Sequence, residues 1–283
     1  MIYGLSVIST SGFPYYNKDF AVEPRNSTLK MLFFDYSKAL VQHCQEDQFE
    51  LVAGLVSALF NFSGAQNRPI NELTYTRPEF EIHHLLDGQQ DGAGKQGTFI
   101  TVRCEPYCIK ESIKKKLDYI YTTIIEPLEP LSEKSRLAPS EEKTIADVFL
   151  DAAAKQAVRS RSKAIDACLK PFIKEYASYG VKAVAIASSN LTILKVVGST
   201  TEEMQGVLRM VECPVVEPLS WKFRQAWTTD NVQITLVFVN SAFNIVVSPQ
   251  LKEPLYYIML CDAYSTVGEL PRKLLIDVNR VLE

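Results

Sequence analysis

The sequence predicts an α+β protein of two domains, each a five-stranded antiparallel sheet flanked by helices. Three observations carry this. The chain has 283 residues with 47% apolar content, enough for two ordinary domains of about 100 to 150 residues. The stretch "EPLEPLSEKSRLAPSEEK", residues 126–143, is rich in Pro, Ser and charge and poor in large apolar side chains, as domain boundaries are. It places a cut near residue 135, separating 1–135 from 136–283. The same order of strands and helices is then read on both sides of that cut.

The first half opens with a β-rich run, "IYGLSVIST", a turn at Ser11-Gly12 and a second extended run, "FPYYNKDF", together a hairpin. After a polar stretch, "LKMLFFDYSKALVQHC" reads as a short amphipathic helix. Asp47 and Glu50 stand in capping-box relation ahead of Leu51, Val52, Leu55, Val56, Leu59 and Phe60, whose i, i+3, i+4 spacing predicts a helix over about 48–63. Three extended runs follow, "INELTYT", "FEIHHLL" and "GTFITVRC", and a helix, "IKESIKKKLDYIYTTIIEPL", closes the unit.

In the second half, "TIADVFLDAAAKQAV" and "AIDACLKPFIKEYASYG" are helical, with Pro171 at a position that kinks or divides the second and Gly180 at its stop. "VKAVAIAS" and "TILKVVG" are strands joined at Ser189-Asn190. A helix capped by Ser199 or Thr200 carries Met204, Val207, Leu208 and Val211 on one face. "VQITLVFV" and "FNIVVSP" read as strands across a turn near Ser241, "LYYIMLCDA" as a third, and "GELPRKLLIDVNRVLE" as the last helix. The link "PVVEPLSWKFRQAWTTD", residues 214–230, is long enough for an extra edge element or a partner-contacting loop.

Bulk charge narrows the function classes. Thirty basic residues against 33 acidic ones give a net charge of −3, which offers no broad positive field for nucleic acid or an anionic membrane surface. The opening residues lack a signal-peptide pattern and no apolar run reaches the roughly 18 to 20 residues that span a bilayer, so the expected compartment is the cytosol. Cys44, Cys104, Cys108, Cys168, Cys213 and Cys261 follow no framework spacing, and are expected as reduced thiols.

Several short motifs invite chemistry and fail on context. Gly92, Gly94 and Gly97 have the spacing G-x-G-x-x-G, with Lys95 among them. A phosphate loop needs its glycines to lead into a helix N-terminus, whose free amides hold the anion; here a strand follows, and the loop is read as a hairpin connection. The position five before Gly94 is Gln89 and Gln96 follows Lys95, so no Walker sequence is present. His83 and His84 with Cys104 and Cys108 suggest zinc, but adjacent strand residues point to opposite faces and Cys104 falls several residues away along the strand. With only His43, His83 and His84 available, and no nucleophile elbow, no triad is readable. The expectation is a protein that is not an enzyme, with no catalytic residue, cofactor or metal ligand. Arg103, Arg159, Arg161 and Arg224 are of the type that reaches a nucleotide in trans, and nothing in the sequence marks any of them. In "WKFRQAW", Trp221, Phe223 and Trp227 alternate with Lys222 and Arg224; a base-stacking platform is disfavoured against an edge segment, and a protein-contact hot spot rich in Trp and Arg fits better.

The stretch "AIDACLKPFIKEYASYGVKAVAIASSNLTILKVVGSTTEEM" resembles the opening of a roadblock domain, and "LYYIMLCDAYSTVGELPRKLLIDVNRVLE" its ending, where a last strand passes through Ser265, Thr266 and Gly268 into the final helix. The first half is similar to the sister fold, the longin domain, with "LVAGLVSALFNFSG" as central helix and residues 23–46 as a departure. The pair resembles the tandem longin and roadblock proteins of archaea related to eukaryotes. That resemblance implies a cytosolic adaptor or regulator that docks a small GTPase of the Ras, Rag or Arf type and pairs as a homodimer or with another longin or roadblock chain, without nucleic-acid binding or membrane insertion. The implied partner interface comprises Met204, Val207, Leu208, Val211, Trp221, Phe223, Arg224 and Trp227. The alternatives are a structural subunit of a trafficking or tethering complex, and an enzyme or ligand sensor with an interdomain pocket.

Overall fold

The computed structural model describes residues 1–9, 14–23, 29–36, 72–76, 98–129, 131, 136–228 and 232–283. The expected Ser11-Gly12 turn, the 48–63 helix, the strand "FEIHHLL", the glycine loop, His43, His83 and His84 lie outside the described residues. The chain divides into two compact units: Ile2–Pro106 with Thr123–Ala138, and Met1 with Tyr107–Thr122 and Pro139–Glu283. The sequence reading put the helical run that follows "GTFITVRC" with the first half; its residues 109–122 group with the second unit and 123–128 with the first.

In the first unit, β1 (Ile2–Ser9), β2 (Pro14–Asp19), β3 (Lys30–Asp35), β4 (Glu72–Thr76) and β5 (Thr98–Cys104) form one sheet in the order β2-β1-β5-β3-β4. Four of these strands pair antiparallel. The expectation of a wholly antiparallel sheet is corrected at β4, which lies parallel to β3; a parallel pair needs a long connection in sequence, and residues 36–71 lie between the two strands. A second correction concerns residues 30–35, expected as the start of a helix and found as a strand. Leu32, Phe33 and Phe34 are all buried, as in a strand covered on both faces, and such a short apolar run looks the same as a helix segment by periodicity. Gly4 pairs across β1 with Arg103, and the Arg103 guanidinium lies over the place where a Cβ would stand while bonding Asp19 and Glu23.

The second unit contains α1 (Lys110–Ile120), α2 (Pro139–Phe149), α3 (Ala152–Ser160), α4 (Ser162–Glu175), β6 (Val181–Ala187), β7 (Ile193–Val197), α5 (Thr201–Leu208), β8 (Trp221–Trp227), β9 (Gln233–Val246), β10 (Lys252–Asp262) and α6 (Leu270–Leu282). Its five strands are antiparallel throughout, in the order β7-β6-β10-β9-β8. Pro171 sits inside α4 without dividing it. The expected turn near Ser241 is absent: β9 is one strand of 14 residues. Ala242 has φ 53° and the Ser241 hydroxyl donates to the Leu255 carbonyl at 2.6 Å. A bulge there bends the strand without ending it, because β10 is long enough to pair with both halves.

One face of this sheet, carrying Val184, Ile186, Val237, Val239, Tyr257 and Met259, packs on Ala154 and Val158 of α3, Ile165, Leu169 and Phe172 of α4, and Leu274, Val278 and Leu282 of α6. These side chains recur at helical spacing, which is why the sequence reads these segments as amphipathic. Gly180 (φ 89°) stops the segment ahead of β6, as its sequence position indicates. Gly198, also at φ 89°, follows β7 where a Cβ would stand 2.4 Å from the Lys182 carbonyl oxygen. Gly198→Ala therefore adds left-handed strain to a backbone clash, with an expected loss of about 1–3 kcal/mol, read as a lowered denaturant midpoint; an unchanged midpoint would show that the turn relaxes freely.

Candidate partner interface

The interface residues expected from the sequence lie on two elements of the second unit. Helix α5 begins where Thr200 accepts a hydrogen bond from the Glu203 amide at 3.1 Å, satisfying one of the open N–H groups of the first turn. Met204, Val207 and Leu208 are all buried, so in this chain they serve the core, and α5 packs against β7. Val211 does not share their helical face. The final turn tightens as the Met210 amide bonds the Val207 carbonyl at 3.1 Å, α5 ends at Leu208, and Val211 follows in a half-buried bend.

Strand β8 is the edge of the second sheet, so "WKFRQAW" forms an edge element of the kind the sequence allowed. Alternation sends Trp221, Phe223, Gln225 and Trp227 to one face and Lys222, Arg224 and Ala226 to the other. Opposite residues of an antiparallel pair share a face, and the register sets Trp221 against Val239 and Phe223 against Val237. The aromatic row therefore continues the helix-covered face toward the edge. Trp221 packs on the core, whereas Phe223 and Trp227 are 45% and 60% exposed. Val215, Leu219 and Val232 flank the strand and are exposed as well. Arg224 is occupied in bracing the edge: Nε donates to the Glu212 carbonyl at 3.2 Å and Nη1 to that of Phe223 at 2.9 Å. Lys222 donates to the Val215 carbonyl at 2.8 Å. Of the eight expected residues, Phe223 and Trp227 offer the large exposed apolar surfaces.

A feature that sequence reasoning missed lies inside the same unit. Lys116 of α1 is fully buried; it bonds Asp151 and stands 3.5 Å from Glu253. Ser188 donates to Asp151 at 3.1 Å, Ser189 to Glu253 at 2.7 Å, and Ser112, one turn before Lys116, to Ser189 at 2.5 Å. The array ties α1, the α2–α3 junction, the β6–β7 turn and the start of β10 together. Asp151 holds φ 55°, a left-handed conformation that Asp tolerates better than most residues. In "IKKKLDY" three lysines stand in a row, and only the packed fold decides which is interior.

Burial works against the Lys116 charge, but the attraction of Asp151 and Glu253 outweighs it and raises the ammonium pKa. Burial also raises the Glu253 pKa: one cation serves two carboxylates, and Lys116 does not offset both the lost hydration and the repulsion of Asp151. A carboxyl raised in the folded state contributes its stability below the ordinary carboxylate pKa and loses it as pH rises through the folded value. Glu253→Gln is accordingly expected to gain stability relative to the wild type as pH rises from 4 to 8, in denaturant titrations at both ends; a constant difference would contradict the raised pKa. The Lys116 contribution is full below the ordinary lysine pKa and is lost as pH rises from there through its raised value.

Among the described residues, no three His, Cys, Asp or Glu side chains group as a metal site and no helix is long and apolar enough to cross a membrane. Cys104 and Cys108 are buried, their thiols directed to the Lys30 and Met1 carbonyls at 3.6 and 3.7 Å. No protein-family model and no curated protein matches the chain.

Proposed function

We propose that this protein is a nonenzymatic cytoplasmic adaptor, longin-like over 1–135 and roadblock-like over 136–283, that docks a small GTPase of the Ras, Rag or Arf type and pairs with a second copy or a related chain. The observation that carries the reading is the second unit from α4 onward: helix, hairpin, helix, three strands and helix, with one antiparallel sheet whose edge, β8, exposes Phe223 and Trp227. That is the element order of the resemblance, and fold order supports a platform while the site supports contact. An edge strand with large exposed aromatic surfaces is a built docking feature. Docking acts on the GTPase by differential affinity for the conformations of its switch loops.

The test is titration of the purified chain with representative Ras-, Rag- and Arf-type GTPases loaded with GDP or a nonhydrolysable GTP analogue. Saturable binding that differs between nucleotide states is the expected result. Failure to bind any of them, or equal affinity for both states, would overturn it.

A further inference from the structure

We propose that the outer surface of the helix layer of the second unit, formed by α3, α4 and α6, is a docking face for an anionic lipid bilayer. The net charge of −3 conceals how the cations are distributed. Residues 152–175 carry six Lys and Arg against two carboxylates, while α6 with Glu269 and Glu283 at its ends is balanced at three against three. Lys163, Lys170 and Lys174 recur at i, i+7 and i+11, which places them in one stripe along α4 about 16 Å long, and all three are exposed. Lys155 and Arg159 stand one turn apart on α3 and are exposed too.

The carboxylates of residues 152–175 are already engaged by lysines from elsewhere in the unit. Asp166 pairs with Lys195 at 2.9 Å and Glu175 with Lys273 at 3.2 Å. Lys155, Arg159, Lys163, Lys170 and Lys174 have no ion-pair partner among the described residues. Like charges in a row repel one another, and an anionic surface relieves that repulsion.

The choice of occupant follows from the residue types. Protein interfaces are depleted in Lys and enriched in Arg and aromatics, whereas this stripe is lysine separated by small residues such as Ala164 and Ala167. Single-strand nucleic-acid sites interleave aromatics for base stacking, and no aromatic side chain interrupts the stripe between Lys163 and Lys170. Flexible ammonium groups along a helix suit the diffuse negative charge of lipid headgroups, where each is worth about fivefold in binding. The face adsorbs and does not insert.

Sedimentation of the full chain with phosphatidylcholine vesicles and with phosphatidylcholine–phosphatidylserine vesicles tests this independently of any GTPase. Binding to the serine-containing vesicles alone, weakened by added salt, is expected. The triple variant K163E/K170E/K174E is expected to lose roughly 100-fold in apparent affinity, while K18E/K252E, reversed at exposed sites off this layer, stays as the wild type; circular dichroism checks that both variants are folded. Equal binding by folded K163E/K170E/K174E, failure to bind anionic vesicles at low salt, or binding to RNA or DNA in place of vesicles would each overturn the assignment.

Discussion

Lys116→Met is expected to destabilise the second unit by about 3–5 kcal/mol, the largest stability effect of any change considered. Methionine fills most of the lysine volume, so little of the loss is cavity. The loss comes from leaving Asp151 and Glu253 buried without their cation, and uncompensated interior charge costs far more than the intact pair contributes. The charge-neutral combination K116M/D151N/E253Q separates this from packing. Asn accepts the left-handed backbone at position 151, and the amides retain hydrogen bonding with Ser188 and Ser189. Recovery of most of the stability in the triple variant is expected, measured by denaturant midpoints at neutral pH. A shift below about 1 kcal/mol in K116M would mean that water or rearrangement already relieves the carboxylates. The deficit of K116M should also shrink toward pH 4, where protonation of Glu253, whose pKa burial raises, removes one of the unpaired charges.

The second large effect concerns binding. If the β8 edge contacts the partner, F223A/W227A is expected to weaken the complex by at least about 2 kcal/mol, some thirtyfold, since exposed aromatics that become desolvated are the residues most often found as hot spots. Both side chains project from the edge strand and are largely exposed, so the fold should tolerate their removal, which an unchanged thermal midpoint would show. Lys222 and Arg224 hold the preceding segment by bonds to carbonyl groups, so charge reversal there should act through the shape of the edge. An F223A/W227A protein that binds as tightly as the wild type would remove β8 from the interface and leave the exposed rim of α5 as the surface to probe.

The helical stripes of the second half are a local property and were legible. Ile165, Leu169 and Phe172, and again Leu274, Val278 and Leu282, recur at helical spacing because each helix buries one stripe. The Thr200 cap and the Gly180 stop are likewise written in one or two residues. Residues 30–35 were misread because a strand buried on both faces has no alternation to show, and the bulge at Ser241 was read as a turn because a bulge and a turn draw on the same small polar residues. The parallel placement of β4 depends on a pairing across residues 36–71, which no local pattern encodes.

Residue type and spacing, then, determined by themselves most of the helical segments and the β6–β7 hairpin of the second half, and which residue types could meet a partner. Tertiary structure alone decided that Met204, Val207 and Leu208 are interior while Phe223 and Trp227 are open, and that one lysine of three consecutive ones is enclosed by two carboxylates. The physical reason is range: periodicity and capping act within a few residues, whereas burial and electrostatic fields are sums over groups that only the folded chain brings together.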